Sequence, residues 1–335
     1  MNKIPLYDSY QRRHNYLRVS LTERCNLRCF YCMPKEGIRL TEKKHLMTHE
    51  EVMEIIDTFI ELGVDKIRFT GGEPLIKKGI DIIFNHLKKY PHLDKGITTN
   101  GVILDKYKET LKSCGINKIN ISLDTLQSGK FKQITFHDYF KRVWDNILDV
   151  ANDPFFQVKV NVVLIKGVND DEVADFVALT ENHPFDIRFI EYMPFKSNNF
   201  DTSKVVTLQE ILSKLEAKFG KHNIEALTAK PNSTTQDFKI KNYRAKFGII
   251  STVSNPFCDT CNRIRLTASG KIKNCLFSDF DTDLLTPLRN GQNIEPLIRK
   301  TVLKKKQYRG GMQTDEEFLA HAETTKNLPM TVIGG

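Results

Sequence analysis

Three strand-like runs of this chain are apolar on one face and polar or charged on the other, which narrows the folds they can enter. In Leu17-Arg-Val-Ser-Leu21, Ile119-Asn-Ile-Ser-Leu-Asp124 and Val158-Lys-Val-Asn-Val162 the apolar residues alternate with Arg18, Ser20, Asn120, Ser122, Asp124, Lys159 and Asn161. Successive side chains of a strand point to opposite faces, so each run presents one apolar and one polar surface. Parallel strands sandwiched between helix layers are usually apolar on both. An edge position also makes one face polar, but three edges cannot belong to one sheet. The pattern implies a wet interior, as in a partial (β/α) barrel whose bore holds a charged ligand.

The order of elements agrees. From Tyr16 to about Gly220 a strand-like run followed by a helix-like run repeats six times, with strands expected at 17–21, 66–70, 96–99, 118–124, 158–164 and 187–193. Helical periodicity is clearest at 49–62, through Val52, Ile55, Ile56, Phe59 and Ile60, and at 80–90. Such alternation gives parallel strands with right-handed crossovers. The expected fold class is α/β, a partial (β/α)6-type TIM barrel over residues 1–220. Beyond it, 221–242 read as loop-rich, 243–253 and 263–273 as strands, the latter turning at Ser269-Gly270, and helices follow near 292–308 and 315–326. Residues 221–335 are therefore expected to form a C-terminal α+β extension.

Six of the seven cysteines fall into two sets of three. Cys25-x3-Cys29-x2-Cys32 follows the first strand, where the functional residues of α/β barrels gather. Three thiolates can hold three corners of a four-iron cube, leaving one iron open for chemistry. Cys258-x2-Cys261-x13-Cys275, with a third cysteine across a turn, again has metal-binding spacing. Zinc would need a fourth ligand, such as one of the nine histidines, whereas a second open cluster needs none. The extension is thus expected to carry a second Fe-S cluster. Cys114 is left over and reads as a small buried filler.

Arg18, Arg68 and Lys159 fall on the inferred inner face, where an unpaired cation is penalised by desolvation. Asp124 could pair with one of them; three converging cations otherwise suit a polyphosphate. The net charge of +9 raises the expectation of a polyanionic partner without choosing one. The lysine pairs and the triplet Lys304 to Lys306 read as solvated helix faces. With no secretory start and no run near the ~20 apolar residues of a membrane span, a cytoplasmic protein with no membrane partner is expected.

The aromatic residue before Cys32, with Gly71-Gly-Glu-Pro74 after the second strand, resembles the signature of radical S-adenosylmethionine (SAM) enzymes. Within that superfamily the chain is similar to the GTP 3′,8-cyclases from about Tyr10 to Gly335. The likeness is carried by 17–34, 67–75, Thr98-Thr-Asn-Gly101, 119–124, 158–162, Arg188-Phe-Ile-Glu-Tyr-Met-Pro194, Phe257-Cys-Asp-Thr-Cys-Asn-Arg-Ile-Arg-Leu266 and the terminal Gly-Gly. It departs at Ile134-Thr-Phe-His137, where relatives usually carry an arginine, and at Gln11, where a glycine is common.

The resemblance implies a lyase of molybdenum cofactor biosynthesis that converts GTP to (8S)-3′,8-cyclo-7,8-dihydroguanosine 5′-triphosphate. A 5′-deoxyadenosyl radical made from SAM would abstract the ribose 3′ hydrogen, and the carbon radical would attack C8 of guanine. It implies two [4Fe-4S] clusters, one on Cys25, Cys29 and Cys32 and one on Cys258, Cys261 and Cys275, with SAM lined by Tyr31, Gly72, Ser122 and Met193. It implies that Arg18, Arg68, Thr98 and Lys159 bind GTP together with Arg263, Ile264 and Arg265, and that Arg263, Arg265, Gly334 and Gly335 act in catalysis. The partners implied are GTP, an external electron donor and the next enzyme of the pathway, with a homodimer allowed and no nucleic acid. Two other readings are a radical SAM enzyme acting on a peptide and a zinc-stapled nucleic-acid-binding module. Arg263, Arg265 and the terminal glycines speak against the first, and three ligands per site against the second.

Overall fold

A computed structural model of the protein describes residues 4–196, 198–229, 231–279, 281–324 and 329–334. Six parallel strands stand side by side in chain order: β1 (Tyr16–Ser20), β2 (Lys66–Thr70), β3 (Asp94–Thr99), β4 (Lys118–Ser122), β5 (Gln157–Leu164) and β6 (Phe185–Glu191). They form the partial barrel, and helices lie in the crossovers: α1 (His49–Glu61), α2 (Ile80–His86), α3 (Lys108–Ser113), α4 (Ser128–Thr135), α5 (Phe140–Ala151) and α6 (Val173–Ala178), with α7 (Leu208–Phe219) following β6.

Local sequence accounts for these elements. At α1 the Thr48 side chain accepts from the Glu51 amide while the Glu51 carboxylate accepts from the Thr48 amide, a reciprocal cap that Thr207 and Glu210 repeat at α7. Val52, Ile55, Ile56 and Phe59 then bury one stripe of α1. On the strands, Leu17, Val19, Ile67, Phe69, Ile97, Ile119, Ile121, Val160, Val162 and Phe189 are buried in the core shared with the helices. The alternate residues face the bore.

The chain after residue 220 continues the same sheet at both edges. β7 (Ile224–Ala226) and β8 (Gln236–Ile240) are antiparallel and lead into β9 (Phe247–Ile250), which runs parallel to β6. β10 (Arg263–Leu266) pairs parallel with β1 at the opposite edge, followed by antiparallel β11 (Lys271–Lys273) and β12 (Thr282–Asp283). The segment 221–242, read from sequence as loop-rich, therefore holds two strands; Glu225, Asp237 and Lys239 interrupt their apolar residues because these strands lie at the sheet's margin. Among the described residues four helices follow: α8 (Leu285–Arg289), α9 (Glu295–Leu303), α10 (Asp315–Thr324) and α11 (Met330–Ile333).

Since β9 and β10 are consecutive in sequence but lie at opposite edges of the six-stranded core, residues 251–262 must cross the gap that the barrel leaves open. That connector carries Cys258 and Cys261. The fold thus sets the second triad by a topological requirement.

Candidate functional site

The first triad sits in the loop after β1, at the C-terminal ends of the barrel strands. The amides of Cys32 and Met33 donate to the Cys29 carbonyl, and those of Arg28 and Phe30 donate to Thr135 and Ile134 at the end of α4. The second strand's loop is pressed onto this one: Gly72 N donates to Thr22 O at 2.7 Å and Glu73 N to Arg24 O at 2.8 Å. A Cβ on Gly72 would lie 2.2 Å from the Arg24 carbonyl oxygen, so only glycine fits. Glu73 is buried and accepts from Thr99 Oγ1 and Asn100 N, each at 2.7 Å, which ties β2 to β3 beneath the loop. Burial nevertheless raises its carboxyl to about 7.

The three thiols crowd one another. Burial, then Glu73, raises Cys25 to about 11; burial, then Cys25 and Asp124, raises Cys32 to about 12; Cys29 is pushed well up by burial, then Asp124, Cys32 and Cys25. Three half-buried, mutually repelling thiols ionise together only when cations share the site, which is what iron supplies. Beside them a cavity is lined by Leu27, Cys29, Tyr31, Asn100, Ser122, Asp124, Thr125, Phe131, Ile134 and Thr135. Tyr31 and Ser122 thus border one cavity. Gly72 packs under the cysteine loop, and Met193, just past β6, offers its carbonyl to Asn198 Nδ2 at 2.7 Å.

Asp124 does not serve the bore's cations. It accepts from Tyr31 Oη at 2.6 Å and from Val163 N at 2.8 Å, and burial raises it to about 6. Lys159, one of the three cations for which the sequence offers Asp124 as a partner, pairs instead with Asp186, 2.5 Å away on the neighbouring strand β6. The arginines are different. Arg68 donates to Tyr16 Oη at 3.0 Å and Ile97 O at 2.8 Å, Arg263 to Asn232 O at 3.0 Å and Arg265 to Gly334 O at 2.5 Å. In these contacts the guanidiniums rest on a phenol and on backbone carbonyls rather than on carboxylates. Arg18 lies opposite both Arg68 and Arg265 in register.

The crowding of like charge is legible in their acidities. Burial and then Arg18 pull Arg265 down to about 9, and burial and then Arg68 pull Arg188 to about 10. Arg18 is lowered by burial, against Tyr16, and further by Arg68 and Arg263. Thr98 Oγ1, Asn161 Oδ1 and Arg263 Nη1 are buried without a hydrogen-bond partner among the described residues. Each such atom costs about 1–3 kcal/mol unless a ligand or water meets it.

The second triad lies at the other end of the bore. Arg263 is level with Tyr16 at the start of β1, so Cys258 and Cys261, which precede it, sit at the N-terminal ends of the barrel strands. Cys275 returns to that end after the antiparallel β11. Cys258 is raised by burial, against an Arg309 amide bond, and then by Cys275 and Cys261, which marks the three as neighbours. Cys261 is lowered to about 6, because Lys305 and Arg263 outweigh its burial. Among the described residues no three His, Cys, Asp or Glu side chains converge as ligands of a single ion; a four-iron cube places each thiolate on its own iron and asks for no such convergence.

The chain's end enters from the other side. Gly334, at φ +84, is buried, and a Cβ there would lie 2.5 Å from Thr70 Oγ1 and 2.9 Å from Ser20 Cβ. Gly335 lies outside the described residues. Ile264, between the two arginines of β10, is 1% exposed and packs in the core rather than toward the bore. Sequence reasoning gave no role to Arg188 or Tyr16, which the strand alternation places in the same bore. It also read Lys305 as solvated; the side chain is buried and donates to Cys261 Sγ at 3.3 Å.

Two family patterns match the chain in succession. The Radical SAM superfamily pattern matches residues 19–180 and that of Molybdenum Cofactor Synthesis C residues 185–310. The chain is 43% identical to molybdenum cofactor biosynthesis protein 1 of Bos taurus, over 98% of this chain and 51% of that protein. It is 41% identical to a GTP 3′,8-cyclase of Peptoclostridium acidaminophilum, over 91% of this chain and 93% of that one. The chain spans about half the length of the molybdenum cofactor biosynthesis proteins 1 it matches. Streptococcus suis SuiB bound to S-adenosylmethionine shares the fold, with a TM-score of 0.61 at 14% identity, over 87% of this chain and 69% of that one.

Proposed function

The chain belongs to the radical SAM superfamily and, within it, to the GTP 3′,8-cyclase family, and from that membership and the geometry of the bore we propose that it cyclises GTP in molybdenum cofactor biosynthesis. The observation that carries the substrate is the guanidiniums of Arg68, Arg263 and Arg265, whose hydrogen bonds go to a phenol and to backbone carbonyls rather than to carboxylates, with Thr98 Oγ1 and Arg263 Nη1 left without partners among the described residues. A triphosphate supplies the missing negative charge, and its oxygens accept from arginine forks.

In this reading residues 1–220 hold the first [4Fe-4S] cluster on Cys25, Cys29 and Cys32, and residues 221–335 hold the second on Cys258, Cys261 and Cys275. When bound, the first cluster and SAM supply the hydrogen-abstracting 5′-deoxyadenosyl radical. Tyr31, Gly72, Ser122 and Met193 line the SAM site at the C-terminal ends of the strands. Arg18, Arg68, Thr98 and Lys159 grip the phosphates, and Arg263, Ile264 and Arg265 form the strand beside the nucleotide. Asp186 holds the Lys159 ammonium in the bore until phosphate shares it. Gly334 and Gly335 close the site, with Arg265 holding the Gly334 carbonyl. An external donor would supply the reducing electron, and the product would pass to the next enzyme of the pathway.

The test is anaerobic incubation of the reduced protein with GTP and SAM. The reading expects 5′-deoxyadenosine together with a cyclised nucleotide, and expects Arg263→Ala and Arg265→Ala to lose the nucleotide product while SAM cleavage persists. Undiminished cyclisation in either variant removes that residue from the site.

A further inference from the structure

The two triads stand in opposite electrostatic surroundings. Around the second, Lys305 Nζ lies 3.3 Å from Cys261 Sγ and 2.9 Å from the Arg263 carbonyl, in a side chain that is 4% exposed. Arg12 donates to the Cys258 carbonyl at 2.7 Å and to Lys306 and Gln307 carbonyls, and Asp8, 2.6 Å from it, orients the guanidinium. The Arg309 amide donates to Cys258 Sγ at 3.3 Å. Lys273, also buried, donates to the Ser278 carbonyl two strands' width from β1.

Around the first triad the sulfur donors are neutral: Leu27 N at 3.4 Å and Asn100 Nδ2 at 3.6 Å, both on Cys25. Arg28 reaches the carbonyls of Cys25 and Leu27, but two buried carboxylates, Asp124 and Glu73, stand beside the loop. Net charge and hydrogen bonds to sulfur are among the features that set an iron–sulfur potential. A buried ammonium on a ligand sulfur stabilises the more negative, reduced state; nearby carboxylates disfavour it.

Resting on the proposed occupancy of both triads, we propose that Lys305 is a positioning residue that raises the reduction potential of the second centre above that of the first. The lysine reaches Cys261 from the segment after α9 and also fixes the backbone of Arg263, so it couples the centre's charge to the strand that borders the bore. Its hydrogen bonds go to Cys261 Sγ and the Arg263 carbonyl, so it acts through the centre and the strand rather than on a reactant.

The experiment is a potentiometric titration of the anaerobic holoprotein, followed by electron paramagnetic resonance. A Cys25→Ala/Cys29→Ala/Cys32→Ala variant, retaining the second triad alone, identifies that centre's signal. In the wild-type protein the second centre should reduce at the less negative potential. Lys305→Met should lower the ratio of reduced to oxidised second centre at fixed potential by about tenfold, equivalent to about 59 mV for a one-electron couple, and leave the first centre unmoved. Lys305→Arg, which keeps the charge, should stay near wild type. Coincident midpoints in the wild type, a first centre that reduces more easily, or an unmoved second centre in Lys305→Met would each overturn the inference. Coincident or reversed wild-type midpoints overturn it even if a variant fails to fold. Absence of both clusters from the purified protein would overturn the proposed function as well, whereas two clusters in the wrong order would overturn this inference alone.

Discussion

The carbonyl oxygen of Gly334 accepts a 2.5 Å hydrogen bond from Nη1 of Arg265, which moors the penultimate residue of the chain to a strand bordering the second triad. The same glycine lies against Ser20 and Thr70 at the C-terminal ends of β1 and β2. One residue of the tail thus touches both edges of the space between the triads.

Gly334→Ala should expel the tail. Its φ of +84 and the 2.5 Å approach of a Cβ to Thr70 Oγ1 leave no room for a side chain, and the left-handed backbone alone costs about 1–2 kcal/mol. Cyclised nucleotide should fall at least about tenfold, as such a cost implies, while iron content and 5′-deoxyadenosine release are kept. Chromatography of both products checks this; full cyclisation would show that the tail's placement is immaterial.

Gly96→Ala should disturb the bore from its floor. The added Cβ would stand 2.8 Å from Arg68 Nη2 and 2.9 Å from the Lys118 carbonyl oxygen. Overpacking of this kind costs about 1–3 kcal/mol, to be read from denaturant unfolding. GTP affinity measured by calorimetry should weaken with it. Unchanged affinity would mean that Arg68 does not hold the nucleotide.

Tyr16 should ionise near neutrality. Burial alone would raise its phenol, but Arg68, Arg18, Lys66 and Arg263 outweigh that and bring it to about 7. An acid depressed in the folded state contributes stability that is complete above its unfolded value of about 10 and is lost as pH falls through about 7. Between those limits the wild type should therefore gain stability over Tyr16→Phe as pH rises. A spectrophotometric titration should show one tyrosine ionising near 7 that disappears in the variant; tyrosines titrating only in the ordinary range would contradict it.

Phe136→Gly should stabilise the protein. Phe136 ends α4 in the left-handed region at φ 58 and is 41% exposed, a position where glycine spares about 1–2 kcal/mol. The Lys35 ammonium 5.3 Å over its ring offsets roughly 0.5–1 kcal/mol of that gain. Equilibrium unfolding would show the net sign, and a loss of stability would mean that the ring's contacts matter more than its backbone.

The six barrel strands were legible because each has one face in helices and the other in the bore, so a period of two survives in Leu17 to Leu21 and in Val158 to Val162. The same alternation would have found Arg188 and Tyr16 had every inward position been followed. Gln11 and Phe136 were visible as departures, and their positive φ values, 61 and 58, show that both break a backbone preference. The margins were not legible. β7 and β8 mix charged with apolar residues, and nothing local announces that β9 and β10 pair with opposite edges of the sheet. Lys305 lies among exposed lysines, and only the tertiary fold turns it inward to Cys261.

The central claim is that each triad holds a four-iron cluster open at one iron, at the two ends of a cationic bore. Anaerobic iron and sulfide analysis tests it most directly: about eight irons and eight sulfides per chain are expected for two cubes, falling by half in Cys258→Ala/Cys261→Ala/Cys275→Ala. Zinc in place of sulfide, or iron that does not fall when the second triad is removed, would contradict it.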